Sequence, residues 1–447
     1  MESAIDIESR TDDLQPRRPA SPREAVDERD MPVAKGDKHI WGIYILLIFI
    51  SVIELYSASS REVAGAGFGV FGPIVRHGAM LIAGFFIILF LQRTPYRKLI
   101  KFIPAFALLS VGMMIYTLLF GDVINGARRS FHIGFFSIQP SEFLKLSAAL
   151  MVAQIMARNQ VKGGGVTKKG VMLSAGIILF YCALLAPQGL TNTLLLMSIS
   201  LSMMIVGGIS LKRLGQVILV YLLLFGAYVG VTHLRESKKA ETELVDEDAP
   251  PSSRLSVWVD RIGSYIGTGA PKYEEPLTSD NRQEMLGYMA QAHGGVTGVL
   301  PGNSRETSRL PLAFTDYIYS IVVEEMGLIG GLVVLLLYLW LLSRSSGIAS
   351  RCYRALPALM VIGCALTIVF QALFHICIVT GVIPVSGQPL PLISKGGSSI
   401  LVTSIAFGIM LSVSRYAVRT GSKNKDIKCE VDGLPEDMRA ENPTRVQ

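Results

Sequence analysis

Residues 310–342 read LPLAFTDYIYSIVVEEMGLIGGLVVLLLYLWLL, and this stretch decides which solvent the chain folds in. From Asp316 onward it is apolar apart from Glu324 and Glu325. It outlasts the roughly 20 residues that a helix needs to cross the ~30 Å hydrocarbon core of a bilayer. A polar flank, a carboxylate at the border and a long apolar run predict a spanning helix over 316–342. Working outward, similar windows lie at 40–59, 74–91, 102–120, 139–157, 170–187, 190–211, 214–233, 355–379 and 397–415. The predicted fold is an all-α integral membrane protein of about ten transmembrane helices, because a helix satisfies its own backbone where no water is available.

Composition agrees. Half of the 447 residues are apolar and only 17% are charged, so lipid solvates most of the chain. The net charge of +7 does not indicate nucleic acid, since the basic residues sit in short loops between apolar runs. Arg93, Arg97, Lys98 and Lys101 follow the second span, and Arg158, Lys162, Lys168 and Lys169 follow the fourth. Lys212 and Arg213 follow the sixth, and Arg344, Arg351 and Arg354 the eighth. Every even-numbered exit is basic, which places both termini in the cytoplasm by the positive-inside rule.

The chain therefore divides into a polar cytoplasmic tail over 1–38, expected to be disordered and without a cleavable signal, a ten-helix domain over 39–418 and a second polar cytoplasmic tail over 419–447. A large extracytoplasmic loop covers 234–315, between spans seven and eight, and shorter outer loops cover 121–138 and 380–395. Within the large loop, 237–254 is polar and expected to be mobile, while 254–267 and 283–295 read as amphipathic or re-entrant pieces. Glycine runs at 65–72 and 163–165 lack the strand and helix of a phosphate cradle and read as loops. Cys182, Cys352, Cys364, Cys377 and Cys429 have no CxxC spacing, and the six histidines show no ligand spacing, so metal and disulfide roles are disfavoured.

An ionisable side chain at bilayer depth costs roughly 2.5–3.5 kcal/mol and needs a partner, a watery cavity or a task. Glu142 and Lys145 stand three apart on one helix face and serve either as a packing ion pair or as part of a site. Asp316 is either a helix cap or interface anchor, or a general base for a hydroxyl offered from the outer leaflet. Arg128 and Arg129 suit a phosphate or pyrophosphate, or else anchor the chain at the interface. Glu54 and His375 read as satisfied buried polar contacts. The segment 380–399, with Pro384, Pro389, Pro391, Gly396 and Gly397, forces irregular backbone, which survives at membrane depth only where it lines a cavity or is buried in protein.

Four strings, NGARRSFHIGFFSIQPSEFLKL (125–146), AHGGVTGVLPGNS (292–304), LPLAFTDYIYSIVVEEMGLIGG (310–331) and TGVIPVSGQPLPLISKGGSS (380–399), are similar in order and content to the signature segments of the SEDS family (shape, elongation, division and sporulation). The resemblance covers essentially the whole chain from the first span to the tenth. It implies a ten-helix, SEDS-fold glycosyltransferase of the bacterial inner membrane that polymerises lipid II into glycan strands. It also implies a class B penicillin-binding protein as partner, with other divisome proteins if the division branch applies. The wording of the GNS, YIYS and LISKGGSS elements resembles that branch, with the elongation branch the close alternative.

Carried over by motif, the family's aspartate falls on Asp316, and its QPSE..K element on Gln139, Pro140, Ser141, Glu142 and Lys145. Its arginine segment falls on Arg128 and Arg129, its GNS element on Gly302, Asn303 and Ser304, and its last motif on Ser394, Gly396, Gly397 and Ser398. The resemblance makes Asp316 catalytic and the others substrate-binding. The metal is unknown, with a divalent cation (Mg or Mn) left open as cofactor. Departures are Phe314 for a usual His, Ser130 for Trp, Gln188 for an acid, Lys395 for Tyr and His375 for Asn. A lipid-linked sugar transporter and a scaffold without chemistry are the rival classes.

Overall fold

The protein is described here from a computed structural model that covers residues 36–59, 71–124, 127–133, 136–161, 165–240, 263, 277–278, 281–310, 313–417 and 442–444. The expectations for residues 1–35, for the 237–254 and 254–267 pieces, for the 65–72 glycine run and for Cys429 lie almost wholly outside the described residues.

Helices stand at every predicted span: α1 Lys38–Ser59, α2 Phe71–Arg93, α3 Tyr96–Phe120, α4 Pro140–Arg158, α5 Lys168–Leu185, α6 Leu190–Val206 and α7 Leu211–Ala240. After the long loop come α8 Arg282–Gly294, α9 Ile318–Ala349, α10 Ala355–Val379 and α11 Gly397–Ser414. Seven of them (α1, α2, α3, α5, α9, α10 and α11) are long and apolar enough to cross a membrane. Two of the others differ for visible reasons. α6 is apolar but has only 17 residues, and α4 opens with Glu142 and Lys145 and is buried along most of its length.

One feature departs from the all-α, loop-joined expectation, and one piece of the long loop is resolved as a helix. The 121–138 segment is a three-stranded antiparallel meander, β1 Asp122–Ile124, β2 Ala127–Ile133 and β3 Phe136–Ile138. Val123 pairs with Arg128, and Phe131 with Ile138. Pairing satisfies backbone groups that a loop against the bundle would have left open. The 283–295 piece is the helix α8, which buries Leu286, Gly287, Ala290 and Gly294.

α10 lies at the centre, buried at nearly every position and packed on α4, α6, α9 and α11. The outer surface is apolar instead: Phe49, Phe86, Phe90, Phe102, Leu108 and Phe120 are all well exposed. In water such a surface would aggregate; against lipid chains it is the matching solvent.

The two ends of the bundle are distinguished by their bonds. At one end Arg344 grips Asp37 through Nε at 3.1 and 3.0 Å, Trp41 Nε1 donates to Gln92 Oε1 at 3.0 Å, and Ser412 Oγ donates to the Thr94 carbonyl at 2.6 Å. The start of α1 and the far ends of α2, α9 and α11 therefore share a face. An even number of crossings must separate the start of α1 from the end of each of the other three.

α9 is not one continuous helix. Gly327 has φ 72° and ψ −178°, and the 295–300 segment inserts its backbone into the opening. Val299 N–H donates to the Glu324 carbonyl at 3.0 Å, Leu300 N–H to Glu325 at 2.9 Å, and Leu328 N–H to Gly295 at 3.0 Å. The broken turn is thus satisfied by protein, as bilayer depth requires. A Cβ on Gly327 would lie 2.2 Å from the Val296 carbonyl oxygen, so only glycine admits this approach.

Candidate active site

The turn 313–317 precedes α9 and is held by the 380–396 segment. Ser394 Oγ donates to the Thr315 carbonyl at 2.8 Å and accepts the Leu390 N–H at 2.7 Å. The Lys395 N–H donates to the Phe314 carbonyl at 2.8 Å. The irregular, proline-rich segment is in turn anchored by buried side chains. His375 Nδ1 bonds the Gln388 carbonyl at 2.6 Å, Gln371 Nε2 donates to the Pro389 carbonyl at 3.2 Å, and the Tyr338 hydroxyl donates to the Pro391 carbonyl at 2.6 Å. His375 thus holds that segment through Nδ1, while its buried Nε2 has no hydrogen-bond partner among the described residues, so the expected satisfied contact is met on one side of the ring alone.

Asp316 sits half-buried in that turn. It is not the helix cap, which is Tyr317 and makes no side-chain capping bond. Its carboxylate lies on the bare backbone of Gly387, where a Cβ would come within 2.7 Å of Oδ2 and 3.2 Å of Cγ. Burial pushes the Asp316 carboxyl above the ordinary Asp range, while the charge of Arg129 and a hydrogen bond with Thr315 pull it back down. Burial is the largest of these causes. A carboxylate raised in this way is a better proton acceptor than a solvated one.

The paired arginines part company, because neighbours on a strand face opposite sides. Arg129 is half-buried and acts on Asp316. Arg128 is exposed and its guanidinium donates to the carbonyls of Leu118 and Leu119 at the end of α3. The strand thus gives the two guanidinium groups different surroundings.

Glu142 and Lys145 form a buried pair with Oε1 and Nζ 2.8 Å apart, and Lys145 Nζ also donates to Gln371 Oε1 at 3.0 Å. Through Gln371 the pair is one residue removed from the Pro389 carbonyl, so it braces the segment that carries Gly387. Ser141 is fully buried in the same first turn of α4. The Gln139 N–H donates to Ser398 Oγ at 3.2 Å, joining the start of α4 to that of α11. Gly396 is the N-cap residue of α11 and Gly397 its first residue.

Asn303 and Ser304 belong to a different polar cluster. Asn303 is exposed and donates to the Val299 carbonyl at 3.0 Å. Ser304 Oγ donates to Glu324 Oε2 at 2.5 Å, and the Arg305 N–H donates to Glu324 Oε1 at 2.8 Å. Glu325 Oε1 accepts from Ser57 Oγ and from the Gly302 N–H. These bonds fasten the GNS turn to α9 and α1. Glu54 departs from the expected satisfied contact: it is 1% exposed, its carboxylate oxygens have no hydrogen-bond partner among the described residues, and the charge acting on it is that of Glu325.

Among the described residues no group of three or more His, Cys, Asp or Glu side chains is placed to hold a metal ion. Asp316 has Arg129 and Thr315 as its electrostatic neighbours, which is a poor donor set for a divalent cation. Cys182, Cys352, Cys364 and Cys377 are free thiols. Gly387 and Gln371 are the site residues that reading the sequence missed. An isolated Gly or Gln in a loop or apolar helix carries no periodic signal, although Gln371 deep in an apolar run was a visible anomaly.

A helical bundle with an apolar outer surface, a broken helix and a carboxylate held at the mouth of a spanning helix defines a polytopic membrane protein. The family described as "Cell cycle protein", that of FtsW, RodA and SpoVE, matches residues 37–419, and this chain belongs to it. It is 29% identical over 388 residues to the "Probable peptidoglycan glycosyltransferase FtsW" of Bacillus subtilis, covering 85% of this chain and 91% of that protein. It is 30% identical over 399 residues to the "Stage V sporulation protein E" of the same organism, covering 84% and 96%. With the "Peptidoglycan glycosyltransferase MrdB" of Escherichia coli K12 it shares 27% over 380 residues, covering 84% and 92%. Among solved structures, a chain described under "Structural coordination of polymerization and crosslinking by a peptidoglycan synthase complex" has the same fold, with TM-score 0.64 at 22% identity over 86% of this chain and 99% of that one. The rod shape determining protein RodA of Thermus thermophilus has TM-score 0.58 at 21% identity over 86% and 98%.

Proposed function

We propose that this chain is a peptidoglycan glycosyltransferase that polymerises lipid II, with Asp316 as general base. The observation that carries the reading is the Asp316 carboxylate itself, half-buried against Gly387, raised in pKa by burial and faced by the Arg129 charge. Family membership supplies the reaction class.

In this reading the hydroxyl of one lipid II gives its proton to Asp316 as its oxygen bonds the anomeric carbon of the other. The bond from that carbon to the diphosphate oxygen breaks, and undecaprenyl diphosphate departs. Arg129 opposes the negative charge that builds on the leaving oxygen. Confinement of both lipids to one leaflet supplies much of the encounter, since positioning substitutes for a bimolecular search. The basic loops support an inner-membrane orientation with both termini in the cytoplasm and the site on the periplasmic face. The motif wording supports a role in division, with a class B penicillin-binding protein and other divisome proteins as partners. Gln139, Ser141, Glu142, Lys145, Ser394, Gly396, Gly397 and Ser398 build the wall of the site, while Asn303, Ser304 and Arg128 act on its frame.

The test is conversion of fluorescent lipid II to polymer by the purified chain in lipid nanodiscs, comparing wild type with Asp316→Ala at matched folding. Loss of polymer in the variant is expected, and wild-type rates would remove Asp316 from the mechanism. Lipid II translocated across sealed vesicles without polymer would make the chain a transporter instead.

A further inference from the structure

The stretch from Gln388 to Pro391 follows the floor of the site, and its two prolines have no N–H to pair. Whatever holds it must therefore hold its carbonyls, and three buried side chains do so in turn. His375 Nδ1 meets the Gln388 carbonyl at 2.6 Å, Gln371 Nε2 donates to that of Pro389 at 3.2 Å, and the Tyr338 hydroxyl donates to that of Pro391 at 2.6 Å. Gln371 and His375 stand four apart on α10 and share one face. Two donors on successive turns of one helix thus fix two successive carbonyls of an irregular segment.

The chemistry of the neighbours sets which atom of each side chain donates. A carbonyl oxygen only accepts, so His375 Nδ1 carries the proton and the lone pair of the neutral ring lies on Nε2. The other tautomer would set two acceptors against each other and leave a buried N–H unpaired, since Nε2 has no hydrogen-bond partner among the described residues. The Lys145 ammonium only donates, and its bond to Gln371 Oε1 at 3.0 Å turns that amide so that Nε2 faces Pro389. Gly387 comes immediately before the pinned carbonyls, and a Cβ on it would stand 2.7 Å from Asp316 Oδ2. With the planar peptides on its C-terminal side held, Gly387 has little freedom to retreat from that carboxylate or to advance on it.

We propose that His375 and Gln371 are positioning residues for Asp316. They act through the backbone: their two N–H groups hold the chain at 388 and 389, and that chain holds Gly387 as the stop against which the carboxylate rests. The Glu142–Lys145 pair then bears on turnover as the orienter of the Gln371 amide. This inference rests on the reading of Asp316 as base for its effect on rate, but not for the placing of Gly387.

The test uses the full chain in nanodiscs, with initial rates of lipid II polymerisation over a substrate series, amide hydrogen exchange of 386–394 and thermal unfolding. His375→Asn keeps an N–H donor at the δ position, His375→Gln moves it to the ε position, and His375→Leu removes it. The Gln and Leu variants are expected to lose about 10-fold or more in kcat with KM within about twofold, because a small misplacement of the base is costly while substrate binding is untouched. Exchange over 386–394 should quicken in both. His375→Asn should bring kcat to within about threefold of wild type and restore slow exchange. Should His375→Leu fold poorly, the Asn and Gln variants decide, as both are neutral amides that differ in where the donor sits. Gln371→Leu should behave as His375→Leu does, and wild-type kcat there removes Gln371 from the pair. His375→Asn no better than His375→Gln, turnover of His375→Gln within twofold of wild type, or a loss carried by KM overturns the proposal. If Asp316→Ala polymerises normally while exchange still quickens in His375→Gln, the base reading fails and the placing of Gly387 stands. Unchanged exchange in His375→Gln fails the placing alone.

Discussion

Gly387→Ala isolates the position of the Asp316 carboxylate from its chemistry. The added methyl would begin 2.7 Å from Asp316 Oδ2 and 3.4 Å from Oδ1. Ordinary contact starts at 3.4 Å, so the tip of the side chain must retreat by about 0.7 Å. The obstructing atom is the end of a side chain, and a χ rotation costing about 0.5–1.5 kcal/mol absorbs the shift. Stability is therefore expected to change little. Turnover is not so tolerant, because a ~1 Å misplacement of a reacting group costs on the order of 100-fold. We expect kcat to fall about 10–100-fold, or ~1.4–2.7 kcal/mol on the barrier. The assay is initial rate of lipid II polymerisation over a substrate series, paired with thermal unfolding in the same nanodiscs. A variant that folds normally and turns over within twofold of wild type would refute the claim that Gly387 places the base.

Further outcomes follow from the same geometry. Asp316 works as a base only when ionised, so the rate falls as pH drops through its folded pKa. Arg129→Gln removes the charge that lowers that pKa, and the acid limb of the pH–rate profile should move to higher pH; an unmoved limb would separate Arg129 from Asp316. Because burial raises the folded pKa, the folded chain holds that proton more tightly than the unfolded chain. The resulting stability is present below the unfolded pKa and is lost as pH rises through the folded one. Asp316→Asn should therefore melt no lower than wild type at pH 7, as differential scanning fluorimetry would check. Lys145→Met leaves the Glu142 carboxylate buried without its ammonium and should cost about 3–5 kcal/mol. Most of that loss should return in Glu142→Gln/Lys145→Met, and a single variant as stable as wild type would deny the pair its bracing role.

The helices were legible because membrane insertion is written in local composition. Each apolar window found its helix, and even α4, which carries Glu142 and Lys145, was placed to within a few residues. Asp316 was legible for a related reason: a carboxylate at the border of an apolar run is costly and therefore conspicuous. The meander at 122–138 was not legible, since strands of three to seven residues with polar members carry too little alternation to rise above a loop. Nor was the break in α9, where Gly327 stands among apolar residues and only the approach of the 295–300 backbone explains it.

Sequence by itself determined the solvent, the positions of the ten main helices, the identity of the candidate acid and the family, because all of these depend on residue type and spacing along the chain. Tertiary structure alone decided that Arg129 and not Arg128 meets Asp316, that Gly387 is the floor beneath the carboxylate, and that Ser304 serves Glu324 and not the base. Those facts depend on which strand face turns inward and how closely two backbones approach. Such quantities arise only when segments far apart in the chain, 129, 316 and 387 among them, are packed against one another and their polar groups must find partners away from water.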